Sequence, residues 1–189
     1  VHIDKIINAD ARDFISKLKG MELNDISAWR DKCVYWKQKW PMITKEHEDD
    51  SKGISKFAFI GVLNKYLKQD SVVTTDAGAT TEIPMQALNF TSSKQRYLGS
   101  AAQCEMGYSI PAAIGASVGR DKKEIFCIVG DGSFQLNIQE LQTIVTQKLP
   151  IKVFVWNNDG YGTIRGHQKT IFKGRYVGVD EASGTAFPD

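Results

Sequence analysis

The chain has 189 residues, 42% of them hydrophobic and 24% charged, with a mean hydropathy of -0.29; this composition excludes disordered, collagen-like and membrane-spanning chains. Its 24 Lys and Arg against 22 Asp and Glu leave a formal charge of +2, too weak a field to draw in a nucleic acid backbone or an anionic membrane. One full core of about 150 residues fits, with about 40 residues to spare, and a second complete domain does not.

Cys33, Cys104 and Cys127 are odd in number, far apart and in no CxxC arrangement, which argues against a disulfide framework or a zinc cluster and for a reducing cytoplasm. The opening VHIDKIINADARDF carries acids where a signal peptide is apolar, and a start at Val1 suggests a piece of a longer chain.

Residues 1–20 contain a helix-like ADARDFISKLKG with Phe14, Ile15 and Leu18 on one face and Gly20 as its stop. This segment reads as the tail of something larger. Residues 21–53 begin with a helix capped by Asn24 or Asp25, on which Ile26, Trp29, Cys33, Trp36 and Trp40 recur at three and four spacing until Pro41. At that spacing the tryptophans read as packing surface rather than a stacking platform. The polar TKEHEDDSKG at 44–53 reads as an exposed linker with a solvated His47.

From Ile54 helix and strand alternate. A helix over Ser55 to Lys68 carries Phe59, Val62, Leu63, Tyr66 and Leu67 on one side; SVVTT at 71–75 is a strand stopping at Asp76, Ala77, Gly78. A helix near 80–90 and a short strand at Arg96, Tyr97, Leu98 follow. MGYSIPAAIGASVG, 106–119, is small-residue helix fit to lie close on a sheet. Ile125 to Val129 is a buried strand ending in GDG, Asn137 to Gln147 a helix carrying Ile138, Leu141, Ile144 and Val145, and Ile151 to Trp156 another buried strand ending in Asn157, Asn158.

Strands separated by helices predict an α/β fold: a doubly wound, mostly parallel sheet flanked by helices, with ligands at the carboxyl ends of the strands. Asp76-Ala77-Gly78, Gly130-Asp131-Gly132-Ser133 and Asn157-Asn158-Asp159-Gly160 then leave one edge, where Asp131 and Asn158 can reach a common ion. A carboxylate, an amide oxygen and an inward carbonyl form an all-oxygen set suited to Mg²⁺ or Ca²⁺, completed by a phosphate-bearing partner. Gly78, Gly132 and Ser133 offer backbone N–H groups to that partner, and a helix starting near Asn137 adds a positive end. A nucleotide is a poorer fit because no GxxxxGK[ST] loop is present.

The run from GDG at 130–132 through QLNIQELQTI to NN at 157–158 resembles the cofactor signature of thiamine-diphosphate-dependent enzymes. RYLGSAAQCEMGYSIPAAIGA, GDGSFQLNIQELQTI and NNDGYGTIRGHQ together resemble the diphosphate-binding domain of the acetolactate synthase group, over residues 54–189. Residues 1–20 resemble the end of that group's central domain, and AFPD stops short of the helices that usually close the cofactor domain.

The resemblance implies Mg²⁺ on Asp131, the Asn158 side chain and the Gly160 carbonyl. It implies diphosphate contacts from Gly78, Ala79, Thr80, Gly132, Ser133 and the loop Tyr161, Gly162, Thr163. Met106 matches the bulky residue that wedges between the cofactor rings, its N–H and the Cys104 carbonyl holding the aminopyrimidine. The implied activity is decarboxylation of a 2-oxo acid with transfer of the acyl carbanion, or carboligation. Alternatives are a non-catalytic or regulatory cofactor-binding protein of the same fold, or a simple 2-oxo acid decarboxylase. Cys104 and Glu105 depart from the usual Gly-Thr, Ala79 and Thr80 replace Gln-His, and Ile164 stands where pyruvate decarboxylases carry a catalytic Glu, which favours carboligation. Arg165 and His167 follow the cofactor loop as candidates for a substrate carboxylate. A separate N-terminal pyrimidine-binding domain, usually from a second subunit, is expected as partner in a homodimer or homotetramer.

Overall fold

The computed structural model describes residues 2–22, 24–51, 53–100 and 102–185. The chain divides into two compact units, Val1–Pro41 and Met42–Asp189. In the first, α1 (Ala11–Leu18) starts where the Asp10 carboxylate accepts the Arg12 N–H at 2.8 Å. Helix α2 (Ser27–Lys39) is preceded by Asp25, which accepts the Ser27 N–H at 2.8 Å. Neither helix contains a buried residue. Trp29 meets Trp36 edge-on at 5.7 Å, but Trp29 and Trp40 stay exposed, so the tryptophan stripe has no buried packing partner among the described residues.

In the second unit β1 (Val72–Thr75), β2 (Arg96–Leu98), β3 (Ile125–Gly130) and β4 (Ile151–Trp156) form one sheet in the order β2-β1-β3-β4. All three pairings are parallel, with Val72 opposite Ile125 and Ile125 opposite Ile151. Side chains alternate across it. Val73, Phe126, Ile128 and Trp156 pack on Ile60 and Leu63 of α3 (Lys56–Tyr66) and Ala87 of α4 (Ala79–Ala87). Val72, Ile125 and Cys127 pack on Ile110 and Ala113 of α5 (Ser109–Val118), with Phe134 of α6 (Asp131–Leu136) and Ile144 of α7 (Glu140–Thr146) against them. Helices thus cover both faces, the doubly wound α/β arrangement expected from the alternating pattern. Helix α8 (Gly162–Thr170) follows β4. Among the described residues no helix is long and apolar enough to cross a membrane.

Four details differ from the sequence reading. Helix α3 turns Ile60 and Leu63 inward and leaves Val62 and Tyr66 exposed; apolar residues surround this helix, so its inward face is set by contact with the sheet. The helix expected at Asn137 to Gln147 is present but shorter, as α7 over Glu140–Thr146, and an unexpected helix, α6, precedes it from Asp131, its Phe134 packing on the sheet. The helix end expected near Asn137 lies at Glu140, α6 adds another at Asp131, and Ile138 and Val145 remain exposed. Strand β4 is only half-buried, Trp156 alone being fully covered. His47 is not a solvated linker residue: its Nδ1 accepts the Thr44 N–H at 3.0 Å and its ring lies 4.8 Å from that of Phe57, over a short 3-10 turn at Lys45–Glu48.

Burial ranks the positions energetically. Ile128→Ala, at a side chain with no exposed surface, should cost about 2 to 5 kcal/mol through lost transfer energy and a residual cavity. Val155→Ala, at a strand position 42% exposed, should cost less than about 1 kcal/mol. Chemical denaturation of the two variants checks the ranking.

Candidate functional site

Strand β1 is followed by the chain that builds β2 on one side, and its other neighbour β3 is followed by the chain that builds β4 on the other. The crevice between their carboxyl ends is the topological switch point, where ligands of open parallel sheets bind. A cavity of about 550 Å³ opens there. The residues assigned to the cofactor and the metal line it: Gly78, Ala79 and Thr80 after β1, Asp131, Gly132 and Ser133 after β3, Asn158, Gly160, Tyr161, Gly162 and Thr163 after β4, and Cys104 with Met106 from the connection before α5; Arg165 and His167 do not.

The Asp131 carboxylate is the knot of this arrangement. One oxygen accepts the Gly132 N–H at 2.8 Å, and the other accepts Asn158 N–H at 3.2 Å and Gly160 N–H at 2.9 Å. It is 7% exposed. One side chain thereby joins the start of α6 to the loop after β4. Beside it, Oδ1 of Asn158 is buried with no hydrogen-bond partner among the described residues. A buried acceptor left unpaired costs about 1 to 3 kcal/mol, a cost that a cation at this position would remove. No group of three or more His, Cys, Asp or Glu able to hold a metal occurs among the described residues, so any ion here would rest on one carboxylate with amide and carbonyl oxygens.

The loop after β4 is strapped from outside. Tyr161 N–H donates to the Val179 carbonyl at 3.0 Å. Arg165 donates to the Asn158 carbonyl at 3.2 Å and the Asp159 carbonyl at 3.4 Å, and pairs with Asp180 at 3.6 Å. Asp180 is held below the ordinary carboxylate range by the Ser183 hydroxyl and, less strongly, by Arg165. These contacts commit Arg165 to the loop backbone rather than to a substrate carboxylate, and His167 lies exposed on α8. Gly160 sits at φ +146°, and a Cβ there would fall 2.1 Å from the Val179 carbonyl oxygen.

Residues outside the sequence-based set also contribute. Lys56 and Trp156 line the same cavity, the ammonium 5.8 Å from the ring centre; no local pattern distinguished them. A second cavity, about 420 Å³, lies toward the amino ends of β3 and β4 among Phe59, Leu63, Phe126 and Phe154. At its rim Glu124 bridges Lys152 at 3.0 Å and Lys68 at 3.4 Å. It contains none of the candidate residues.

Comparison with known families decides the relationship. Residues 76–188 match the family described as "Thiamine pyrophosphate enzyme, C-terminal TPP binding domain". The chain belongs to this family. Its relatives include the acetolactate synthase large subunit of Porphyra purpurea, 36% identical over 151 residues, covering 80% of this chain and 25% of that protein. The acetolactate synthase isozyme 2 large subunit of Escherichia coli K12 is 34% identical over 158 residues, covering 82% and 28%. Acetolactate synthase 2, chloroplastic, of Nicotiana tabacum is 32% identical over 169 residues, covering 87% and 25%. The chain thus spans about a quarter of the length of these relatives. As a thiamine pyrophosphate enzyme domain, it has its cavity formed by the GDG and NN segments that carried the resemblance.

The strap gives a test of this TPP-binding domain. Gly160→Ala should force the loop off Val179 and release the Asp131 contacts. Positive-φ strain alone costs about 1 to 3 kcal/mol. Hydrogen exchange should then rise at Gly160 and Tyr161 while the β3 amides stay protected.

Proposed function

We propose that residues 54–189 bind thiamine diphosphate with Mg²⁺ as the cofactor domain of an acetolactate-synthase-like enzyme that decarboxylates a 2-oxo acid and transfers the acyl unit to an acceptor. The observation carrying this reading is the convergence of the three strand-end loops on one cavity, with the unpaired Asn158 Oδ1 beside the Asp131 carboxylate. Those donors fit Mg²⁺: they are hard oxygens, few in number, and leave positions for water and phosphate. Asp131, Asn158 Oδ1 and the Gly160 carbonyl would hold the ion. Gly78, Ala79 and Thr80 at the start of α4, with Gly132, Ser133 and the loop Tyr161 to Thr163, would meet the diphosphate, the α4 amino end adding a favourable dipole.

When bound, the cofactor supplies an electron sink for loss of CO₂ from the substrate. The residues here bind and shape. Met106, half-buried at the cavity wall, would wedge between the cofactor rings and keep it bent, while the Met106 N–H and the Cys104 carbonyl would hold the aminopyrimidine. Ile164 lines the cavity and brings no proton donor to it, which supports carboligation over simple decarboxylation. The pyrimidine end would be completed by a domain outside these residues, in a homodimer or homotetramer.

In the full-length protein, thiamine diphosphate with Mg²⁺ should raise the melting temperature, a ligand at 100 times its Kd adding about 2.7 kcal/mol. Asp131→Asn removes the charge and leaves one accepting oxygen for the three N–H groups, so its cofactor-free melting temperature should drop, and the folded variant should lose the Mg²⁺-dependent part of this rise. An unchanged rise in that variant places the ion elsewhere. Product analysis with pyruvate and other 2-oxo acids separates carboligation from simple decarboxylation, and a cofactor-stabilised protein with neither product is a binding protein only.

Thiol chemistry offers an independent check. Cys104 is exposed at the cavity, whereas Cys127 is buried and its thiol is pushed up, chiefly by that burial. Iodoacetamide should therefore modify Cys104 and spare Cys127, and thiamine diphosphate with Mg²⁺ should protect Cys104. Equal labelling of Cys104 with and without cofactor counts against its place in the pyrimidine slot.

A further inference from the structure

Asp76 directly follows β1, with a side chain only 1% exposed. One carboxylate oxygen accepts the Ala77 N–H at 3.0 Å and the Gly107 N–H at 3.0 Å; the other accepts the Ser109 N–H at 2.9 Å. Gly107 is gripped from its other end as well, the Asn137 amide donating to its carbonyl at 2.7 Å. Gln139 donates to Oδ1 of Asn137 at 3.1 Å and so points the amide NH₂ toward Gly107. Gly107 adopts φ +86°, and a Cβ there would lie 2.8 Å from the Asn137 nitrogen and 3.0 Å from Cβ of Leu136. Only glycine accepts both the conformation and the approach.

The residue held in this way directly follows Met106. Residues 102–105 are exposed, Met106 is half-buried and Gly107 is buried, so Met106 stands where an exposed connection meets a fixed peptide. The two gripping groups come from the ends of the elements that also line the cavity: Asp76 precedes Gly78, and Asn137 follows α6, whose first residue is Asp131.

We propose that Asp76 and Asn137 are positioning residues which, by holding the Gly107 peptide, set the Met106 side chain against the bound cofactor. The proposal rests on the reading of Met106 as the wedge. Neither group need touch the cofactor; each acts through the backbone next to Met106.

The test is a double-mutant cycle in the full-length protein, read by exchange of the thiazolium C2 proton with deuterium oxide at saturating cofactor, and by backbone amide exchange in the cofactor-free protein. Asn137→Asp is isosteric but has no amide donor at neutral pH. It removes the bond to the Gly107 carbonyl, and should slow C2 exchange by about tenfold with little change in cofactor affinity while the β3 amides stay protected. In a Met106→Ala background the same substitution should add less than about twofold, because coupled residues are not additive. Asp76→Asn, which keeps one accepting oxygen, should speed exchange of the Gly107 amide and fall between wild type and Asn137→Asp in C2 exchange, and Asn137→Gln should restore part of the rate. Unchanged Gly107 protection in Asp76→Asn, or an undiminished effect of Asn137→Asp in the Met106→Ala background, overturns the proposal and leaves the wedge reading intact. Normal C2 exchange in Met106→Ala removes the wedge reading, and the proposal with it.

Discussion

Two buried carboxylates, each one step past the end of a parallel strand, take their hydrogen bonds from backbone N–H groups of distant loops, and the rest of the cavity depends on this. Asp76 gathers Gly107 and Ser109; Asp131 gathers Asn158 and Gly160. A charged acceptor makes stronger hydrogen bonds than a neutral one, about 1.5 to 3 kcal/mol each, and in a water-poor setting those bonds fix loops that have little packing of their own. The sheet supplies the spacing, and the carboxylates convert it into loop geometry.

The two knots differ in what they leave unsatisfied. Around Asp76 both carboxylate oxygens are used and the Thr74 hydroxyl donates to the Ser109 carbonyl at 3.1 Å, while the Ser109 hydroxyl is buried without a hydrogen-bond partner among the described residues. Around Asp131 the Asn158 oxygen is left over. What separates the two is where the leftover atom sits and what it is: Asn158 lines the cavity and leaves a hard acceptor oxygen, whereas Ser109 is not among the cavity-lining residues. The strap through Val179 and Arg165 then holds the second junction in place without occupying its acceptor face.

Much of this was legible in the sequence because it follows from local pattern. The apolar runs Ile125 to Val129 and Ile151 to Trp156 fixed two strands, and the rule that ligands sit at strand ends brought GDG and NN to one edge before any coordinates. What escaped depends on distance along the chain. Asp76 meets partners 31 and 33 positions away, and nothing near it in sequence reveals a junction. Helix α3, with Phe57, Phe59, Ile60, Val62, Leu63 and Tyr66 in one stretch, has no single apolar face, so its inward side is a property of the sheet it meets. Helix α6 was missed because GDGS reads as a turn, and α7 starts later than Asn137 because that residue gives its side chain to Gly107.

Strand β4 pairs with β3 on one side only; among the described residues nothing pairs with its outer side. It also carries Val155 exposed, and the apolar cavity beneath Phe154 lies open next to it. A strand edge with free backbone donors and acceptors, beside uncovered apolar surface, is a template for another strand. Lys152, on that strand, is the charge that discourages such pairing, and its bond to Glu124 partly neutralises it. The edge of β4 is therefore a place where the described sheet can be extended by a further strand.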